Sequence, residues 1–312
     1  MIFFYYIALC LPFFCNALEV DIISSFNIEE LPSKMSNVKS EFTLKLTCPV
    51  DYLNRSADDS ILKKIIVFDP IFGGAVNIIP TLPKEKLVLF VWEPNILSSE
   101  IYDAYSRVYT WDDTLVDGIK FFRFNYPYLM PFKGHWVAFE NKKLCTMVVG
   151  NWTEQRLNLV QFFERNHPEG LECYGRSPPE LKNMFMHKGH IPGLHSGEEK
   201  ISTLQNYRFC LCFENTIGLK GYITEKIFSC FSAGCIPIYW GSTNIEHYIP
   251  KSCFIDYRDF ANNAELYQYI STMSQDRHHE YIEEIKKYLR SEQAYIFSSQ
   301  FFNNIVYEAI TQ

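Results

Sequence analysis

Phe213-Glu214-Asn215-Thr216-Ile217-Gly218-Leu219-Lys220-Gly221-Tyr222-Ile223-Thr224-Glu225-Lys226 lies between two segments of different periodicity. Before it, Tyr207 to Cys212 is an apolar run of strand length. After it, Ile223, Ile227, Cys230 and Phe231 recur at i, i+4, i+7 and i+8, the spacing of one helix face. Ala233-Gly234 stops that helix where glycine suits the position after the cap. A second apolar strand, Cys235 to Trp240, follows at once and is closed by Gly241. Strand, glycine-bearing loop, helix and strand form the right-handed crossover unit of a doubly wound parallel sheet, whose ligands bind at the carboxyl ends of the strands. The helix start offers unpaired N–H groups and a partial positive charge, and Lys226 adds a full one, so the loop reads as an anion site suited to pyrophosphate. Asn215 and Glu225 can add hydrogen bonds to a ribose or a sugar.

The order of these residues resembles the donor-binding signature of the α1,3/4-fucosyltransferases, glycosyltransferase family 10. Phe213-Glu214-Asn215-Thr216 and Tyr222-Ile223-Thr224-Glu225-Lys226 carry its first block, and Cys235-Ile236-Pro237-Ile238 with Gly241 the second. Ile249-Pro250-Lys251-Ser252-Cys253-Phe254-Ile255-Asp256-Tyr257-Arg258-Asp259-Phe260 carries the third. Upstream, Val148-Val149-Gly150-Asn151, then Arg156, then Leu171-Glu172-Cys173-Tyr174-Gly175-Arg176 is similar to the block whose arginine grips the donor pyrophosphate. Arginine suits that task because its planar fork binds phosphate oxygens in pairs and keeps its proton. A solvated helix arginine is the plainer reading of Arg156. Leu87 to Trp92 resembles the strand that ends at the family's catalytic carboxylate, which puts Glu93 in that role, with Glu100 as a nearby rival.

The resemblance implies an α/β fold with two Rossmann-like domains facing across a cleft, of the GT-B type, with C-terminal helices. It implies GDP-fucose as donor and a glycan hydroxyl as acceptor, with inversion and an α1,3 link to a GlcNAc-type sugar. Arg156 and Lys226 would hold the pyrophosphate, Asn215 and Tyr222 the nucleoside, and Glu225 ribose or fucose hydroxyls. Glu93 would take the acceptor proton. Two alternatives stay open: a related glycosyltransferase using another nucleotide sugar, and a glycan-binding relic without chemistry.

At 312 residues the chain has room for two α/β domains, and 47% hydrophobic with 16% aromatic content supports sizeable cores. A net charge of −7 with interspersed signs argues against nucleic acid, whose binding needs a basic stripe. The expected layout is a signal peptide or short membrane anchor at 1–18, a stem at 19–60, an acceptor-side domain at 61–140, a nucleotide-sugar domain at 141–275, and terminal helices at 276–312. The leader is uncharged and nearly all apolar from Ile2 to Phe14, shorter than a span of ~20 residues. With the resemblance it implies the secretory pathway, either as a type II Golgi membrane protein or as a lumenal or secreted one. Asn54-Arg55-Ser56 and Asn151-Trp152-Thr153 are acceptor sequons compatible with such a location.

The ten cysteines show no framework spacing, and Cys210 and Cys212 on a buried strand are expected to point to opposite faces and so not to bond to each other. His187, His190 and His195 cluster around glycine and proline, which reads as a surface or acceptor loop rather than a zinc set. Asp112-Asp113 is not an Asp-x-Asp, and none occurs in the chain. No metal site and no obligatory cofactor are therefore expected; a divalent ion would at most stimulate, because Arg156, Lys226 and the helix end can balance the leaving diphosphate.

Overall fold

The computed structural model describes residues 18–24, 34–47, 62–69, 81–134, 137–177, 186–193 and 197–312. Most of the leader, the sequon at Asn54, and His195 lie outside these residues. Two parallel sheets organise the chain, each with apolar residues on both faces.

The first sheet is built from β1 (Glu19–Ser24), β2 (Thr43–Thr47), β3 (Leu62–Phe68), β4 (Leu87–Val91), β5 (Arg107–Thr110) and β6 (Phe121–Arg123), in the order β2-β1-β3-β4-β5-β6. Helix α1 (Ser36–Glu41) links β1 to β2, and α2 (Ser99–Asp103) precedes β5. Strand alternation divides β4 between two cores. Val88, Phe90 and Trp92 point to one face, and Leu87, Leu89 and Val91 to the other. Both faces are covered, so the strand reads as a continuous apolar run. Its ladder with β3 sets Phe90 against Phe68, and the two rings stack at 5.2 Å.

The stem expected at 19–60 is corrected here. β1 is buried and sits between β2 and β3, with Ile22 paired to both Leu46 and Ile66. Its apolar residues join the cores of the first lobe, so the lobe includes residues well before 61. The short strand lacked the length to stand out before its partners were known.

The second sheet contains β7 (Lys143–Val149), β8 (Leu171–Gly175), β9 (Tyr207–Phe213), β10 (Ile236–Trp240) and β11 (Ile255–Asp256), ordered β11-β10-β9-β7-β8. α3 (Glu154–Asn166) connects β7 to β8; its start is set by Thr153, whose hydroxyl accepts the Arg156 N–H at 3.5 Å. α4 (Glu198–Leu204) precedes β9, and α5 (Glu225–Ala233) joins β9 to β10. Gly234 ends α5 at φ 64° and ψ 40°, a left-handed conformation that glycine adopts without steric cost, and its N–H meets the carbonyl of Phe231.

Cys210 and Cys212 share one face of β9 and both act on the Cys230 thiol of α5. All seven described cysteines are free and buried.

After β11 come α6 (Asn263–Ser271), α7 (Gln275–Leu289) and α8 (Ser299–Thr311). Tyr281, Ile282, Ile285 and Tyr288 of α7 pack into the second core. α8 crosses back: Phe302, Ile305, Val306, Ala309 and Ile310 complete one core of the first lobe. The Phe302 ring lies 5.9 Å from Phe90 and 6.0 Å from Trp92. Burial of each such side chain contributes about 1.5–3 kcal/mol, so the chain's end stabilises its beginning. No described helix is long and apolar enough to cross a membrane.

Candidate active site

The carboxyl ends of β3, β4, β7, β9 and β10 converge at the junction of the lobes. On the first lobe, Glu93 follows β4 and is half-buried. Its backbone is held from several sides. The N–H groups of Trp92 and Glu93 each donate to one carboxylate oxygen of Asp69, both at 2.8 Å. The Trp111 indole donates to the Glu93 carbonyl at 3.3 Å, and the Tyr126 hydroxyl donates to the Trp92 carbonyl. Glu100 instead lies on the exposed first turn of α2, where bonding to Ser98 lowers its pKa.

On the second lobe, the first turn of α3 carries Arg156 to the end of β9. Its guanidinium donates to the carbonyls of Asn151 and Phe213 and to Oδ1 of Asn215, the last at 3.2 Å. The side chain is 3% exposed. Burial lowers its pKa, against the opposing pull of Glu214. Arg156, Lys200 and Lys226 together line a small cavity of about 20 Å³ beside Cys212 and Phe213.

The loop quoted at the outset contains its own counter-ion. Glu214, buried at the end of β9, accepts the Thr224 N–H at 2.9 Å, the Thr224 hydroxyl at 2.8 Å, and Nζ of Lys226 at 3.0 Å. Glu225 lies 3.8 Å from Lys226 and 3.9 Å from Lys200. Burial alone would lower the Lys226 pKa, but the two carboxylates outweigh it and the net shift is upward. Lys226 is thus fully charged yet partly neutralised. Arg156, Lys200 and Lys226 line the cavity, and Glu214 and Glu225 stand against the two lysines as counter-ions. Lys226 at the helix start is paired with Glu214 and Glu225, which the sequence did not show.

Tyr222 also departs from expectation. Its ring is 2% exposed and packs edge-on against Trp111 at 5.0 Å and Tyr126 at 5.9 Å, inside the first lobe's core. Its buried hydroxyl has a strongly raised pKa, caused by desolvation and then by the carboxylates of Glu214, Glu93 and Glu225. Trp111, which packs on Tyr222, also donates to the Glu93 carbonyl and so links the loop to the end of β4.

A polar lock ties the glycine loop to the first lobe. Arg123 of β6 pairs with Asp113 and donates to the carbonyls of Trp111 and Gly221, the latter at 3.1 Å. Asp113 also accepts from Asn244 and from the Tyr248 hydroxyl, each at 2.6 Å, and the Gly221 N–H donates to Ser242 and Asn244. Gly221 has φ 84°, and a Cβ there would sit 2.3 Å from the Trp111 carbonyl oxygen. Gly221→Ala should therefore destabilise the fold by more than the left-handed strain of about 1–2 kcal/mol, because the backbone clash adds to it. Thermal unfolding checks it; an unchanged melting temperature would mean that the loop moves freely of the lock.

Glu214, Lys200, Asp69 and the Arg123–Asp113 pair were not singled out from the sequence. Glu214 had a visible signal, an acid at the end of a strand apolar but for Arg208. Of the histidines, His187 bonds the Gly175 carbonyl at 2.9 Å. Among the described residues, no group of three or more His, Cys, Asp or Glu could hold a metal.

Two parallel α/β sheets whose strand ends meet at a charged junction define the GT-B class of glycosyltransferase. The chain belongs to glycosyltransferase family 10 (fucosyltransferase), whose C-terminal model matches residues 138–305. It is 32% identical over 137 residues to the 4-galactosyl-N-acetylglucosaminide 3-alpha-L-fucosyltransferase 9 of Mus musculus, covering 43% of this chain and 34% of that protein. It is 46% identical over 74 residues to the alpha-(1,3)-fucosyltransferase FucT of Helicobacter pylori, covering 23% of this chain and 15% of that one. The chain thus matches about a third or less of the length of these relatives. In fold it resembles a crystal structure of an alpha1,3-fucosyltransferase with GDP-fucose, at TM-score 0.63 and 15% identity over 95% of this chain and 91% of that one. A glycosyltransferase from Rickettsia africae is similar at TM-score 0.63 and 10% identity, over 95% and 99%.

Proposed function

We propose that this chain is an inverting fucosyltransferase that moves L-fucose from GDP-fucose to a glycan hydroxyl, forming an α1,3 link to a GlcNAc-type sugar. The observation that carries the reading is the run of contacts from Glu93, whose carbonyl takes the Trp111 indole N–H, through the Trp111–Tyr222 ring pair to the loop that carries Asn215, Glu225 and Lys226 beside Arg156. Membership of the family and the names of the relatives support the sugar and the linkage.

In this reading the diphosphate of the donor binds Arg156 and Lys226, with Lys200 adding charge, and Glu225 meets sugar or ribose hydroxyls. The acceptor hydroxyl gives its proton to the Glu93 carboxylate as its oxygen attacks the anomeric carbon. The bond from that carbon to the phosphate oxygen breaks on the opposite face, and GDP leaves with the electron pair. A β-linked donor thereby gives an α-linked product. Fixed cations aimed at the departing diphosphate stabilise the charge that develops there. Partial burial of Glu93 beside Trp92 suits a general base.

A donor screen tests the reading. GDP-fucose should be turned over with a glycan array as acceptor, and GDP-mannose and UDP-sugars should not. Turnover of another sugar nucleotide alone would assign a different member of the fold class, and binding without turnover would favour the relic. Because the chain lacks Asp-x-Asp and presents cations instead, transfer should retain the larger part of its rate after treatment with EDTA. Complete loss, restored by manganese, would overturn that charge assignment. The apolar leader together with the family supports a location in the secretory pathway.

A further inference from the structure

Asp69 directly follows β3 and is 1% exposed, so no acceptor sugar can reach it. It is also the non-glycine residue that holds a positive φ, 46°, among the described residues. Aspartate tolerates this conformation better than most residues, but it remains uncommon, and such outliers cluster at functional sites. What the conformation achieves is specific. The Asp69 N–H continues the ladder to the Phe90 carbonyl at 3.2 Å, and the carboxylate turns across the end of β4. One oxygen takes the N–H of Trp92 and the other that of Glu93.

We propose that Asp69 is a positioning residue for the transfer reaction, its carboxylate clamping the Trp92–Glu93 backbone so that the Glu93 side chain is presented at the lobe junction. This rests on the reading of Glu93 as the base. The clamp acts at the point where β4 stops and Pro94 turns the chain away, so no strand partner would otherwise take these two N–H groups. It works with two other anchors: the Tyr126 hydroxyl on the Trp92 carbonyl and the Trp111 indole on the Glu93 carbonyl. Four backbone groups of two residues are thus each held by a buried or half-buried side chain.

The clamp is also sensitive to proton uptake. Burial pushes the Asp69 pKa up to about 7, two backbone N–H donors oppose the rise, and the Glu93 charge adds to it. Tyr102, Tyr105 and Tyr126 are the other titratable groups that feel the Asp69 charge. The sign follows from the raised value. Protonated Asp69 is favoured in the fold below about pH 7, and it accepts the two N–H groups less well than the carboxylate does. Presentation of Glu93 should therefore weaken as pH falls through 7.

The test uses the full chain with Asp69→Asn, Tyr126→Phe and Glu93→Gln. Asn keeps the shape but sets an amide N–H against one of the two backbone donors. Asp69→Asn should lower kcat by about ten- to a hundredfold, the scale of a misplaced reacting group, with KM for GDP-fucose and GDP affinity unchanged. Because the like charge beside Glu93 is removed, the acid limb of the kcat profile should also move to lower pH. A residue that only supports the fold would lower melting temperature and GDP affinity together and leave the limb in place, and that result overturns the proposal. If Asp69→Asn does not fold, Tyr126→Phe, which releases the Trp92 carbonyl, should reduce kcat in the same way, and normal turnover there overturns it. Full activity in Asp69→Asn with an inactive Glu93→Gln overturns the clamp alone. Full activity in Glu93→Gln overturns both the base and the clamp.

Discussion

Glu93→Gln is expected to lower turnover by about 10²–10⁴-fold, the contribution of a general base, while GDP binds as before. Gln keeps the volume and cannot take a proton. The backbone of residue 93 is fixed by Asp69 and Trp111 through main-chain groups, so the substitution leaves that frame intact. The fall should therefore appear in kcat, with KM for the donor little changed. Glu100→Gln is the matched control, because Glu100 stands on the exposed start of α2. Normal turnover in Glu93→Gln with loss in Glu100→Gln would move the base to α2. Rapid quench of a single turnover separates the chemical step from product release and is the measurement of choice.

Lys226→Ala is expected to slow transfer about a hundredfold, the scale for removing one fixed charge stabiliser. The structure adds a second consequence. Lys226 is bonded to Glu214, which is buried at the end of β9, so removal of the amine strands a carboxylate in the interior. Breaking a buried pair from one side costs about 3–5 kcal/mol, so the melting temperature should fall as well. The double variant Glu214→Gln with Lys226→Ala separates the two effects. It should recover much of the stability, since a neutral amide replaces the stranded charge, and none of the rate. Recovery of rate in the double variant would mean that Lys226 serves only to neutralise Glu214, and the pyrophosphate role would pass to Arg156 and Lys200.

The Glu214–Lys226 pair also changes how an anion would be met. The helix start at Thr224 has its first N–H taken by Glu214. A diphosphate would share Lys226 with a resident carboxylate, whereas Arg156 bonds backbone carbonyls and the Asn215 amide oxygen and has no such competitor among those partners. Arg156 thus has no carboxylate among its hydrogen-bond partners, although Glu214 and Glu225 act on it from further off.

The second lobe's central unit was determined locally. The apolar run before Phe213, the helical spacing from Ile223 to Phe231 and the stop at Gly234 each depend on neighbours within a few turns, so β9, α5 and β10 were legible as written. The same holds for β4, whose continuous apolar run announces a strand covered on both faces. Asn215, Glu225 and Lys226 could be named because they sit at the ends of such elements, and Arg156 through the family resemblance alone. The tertiary structure alone decided the rest. It placed β1 between strands that follow it in the chain, returned α8 to the first lobe, buried Tyr222 under Trp111, paired Lys226 with Glu214, and locked Gly221 to Arg123 and Asp113. Each of these joins residues whose relation is set by how elements stack rather than by periodicity along the chain. A side chain's partner across a sheet or between lobes leaves no mark on its own neighbours, and so Asp69 was passed over although it holds the residue that was chosen.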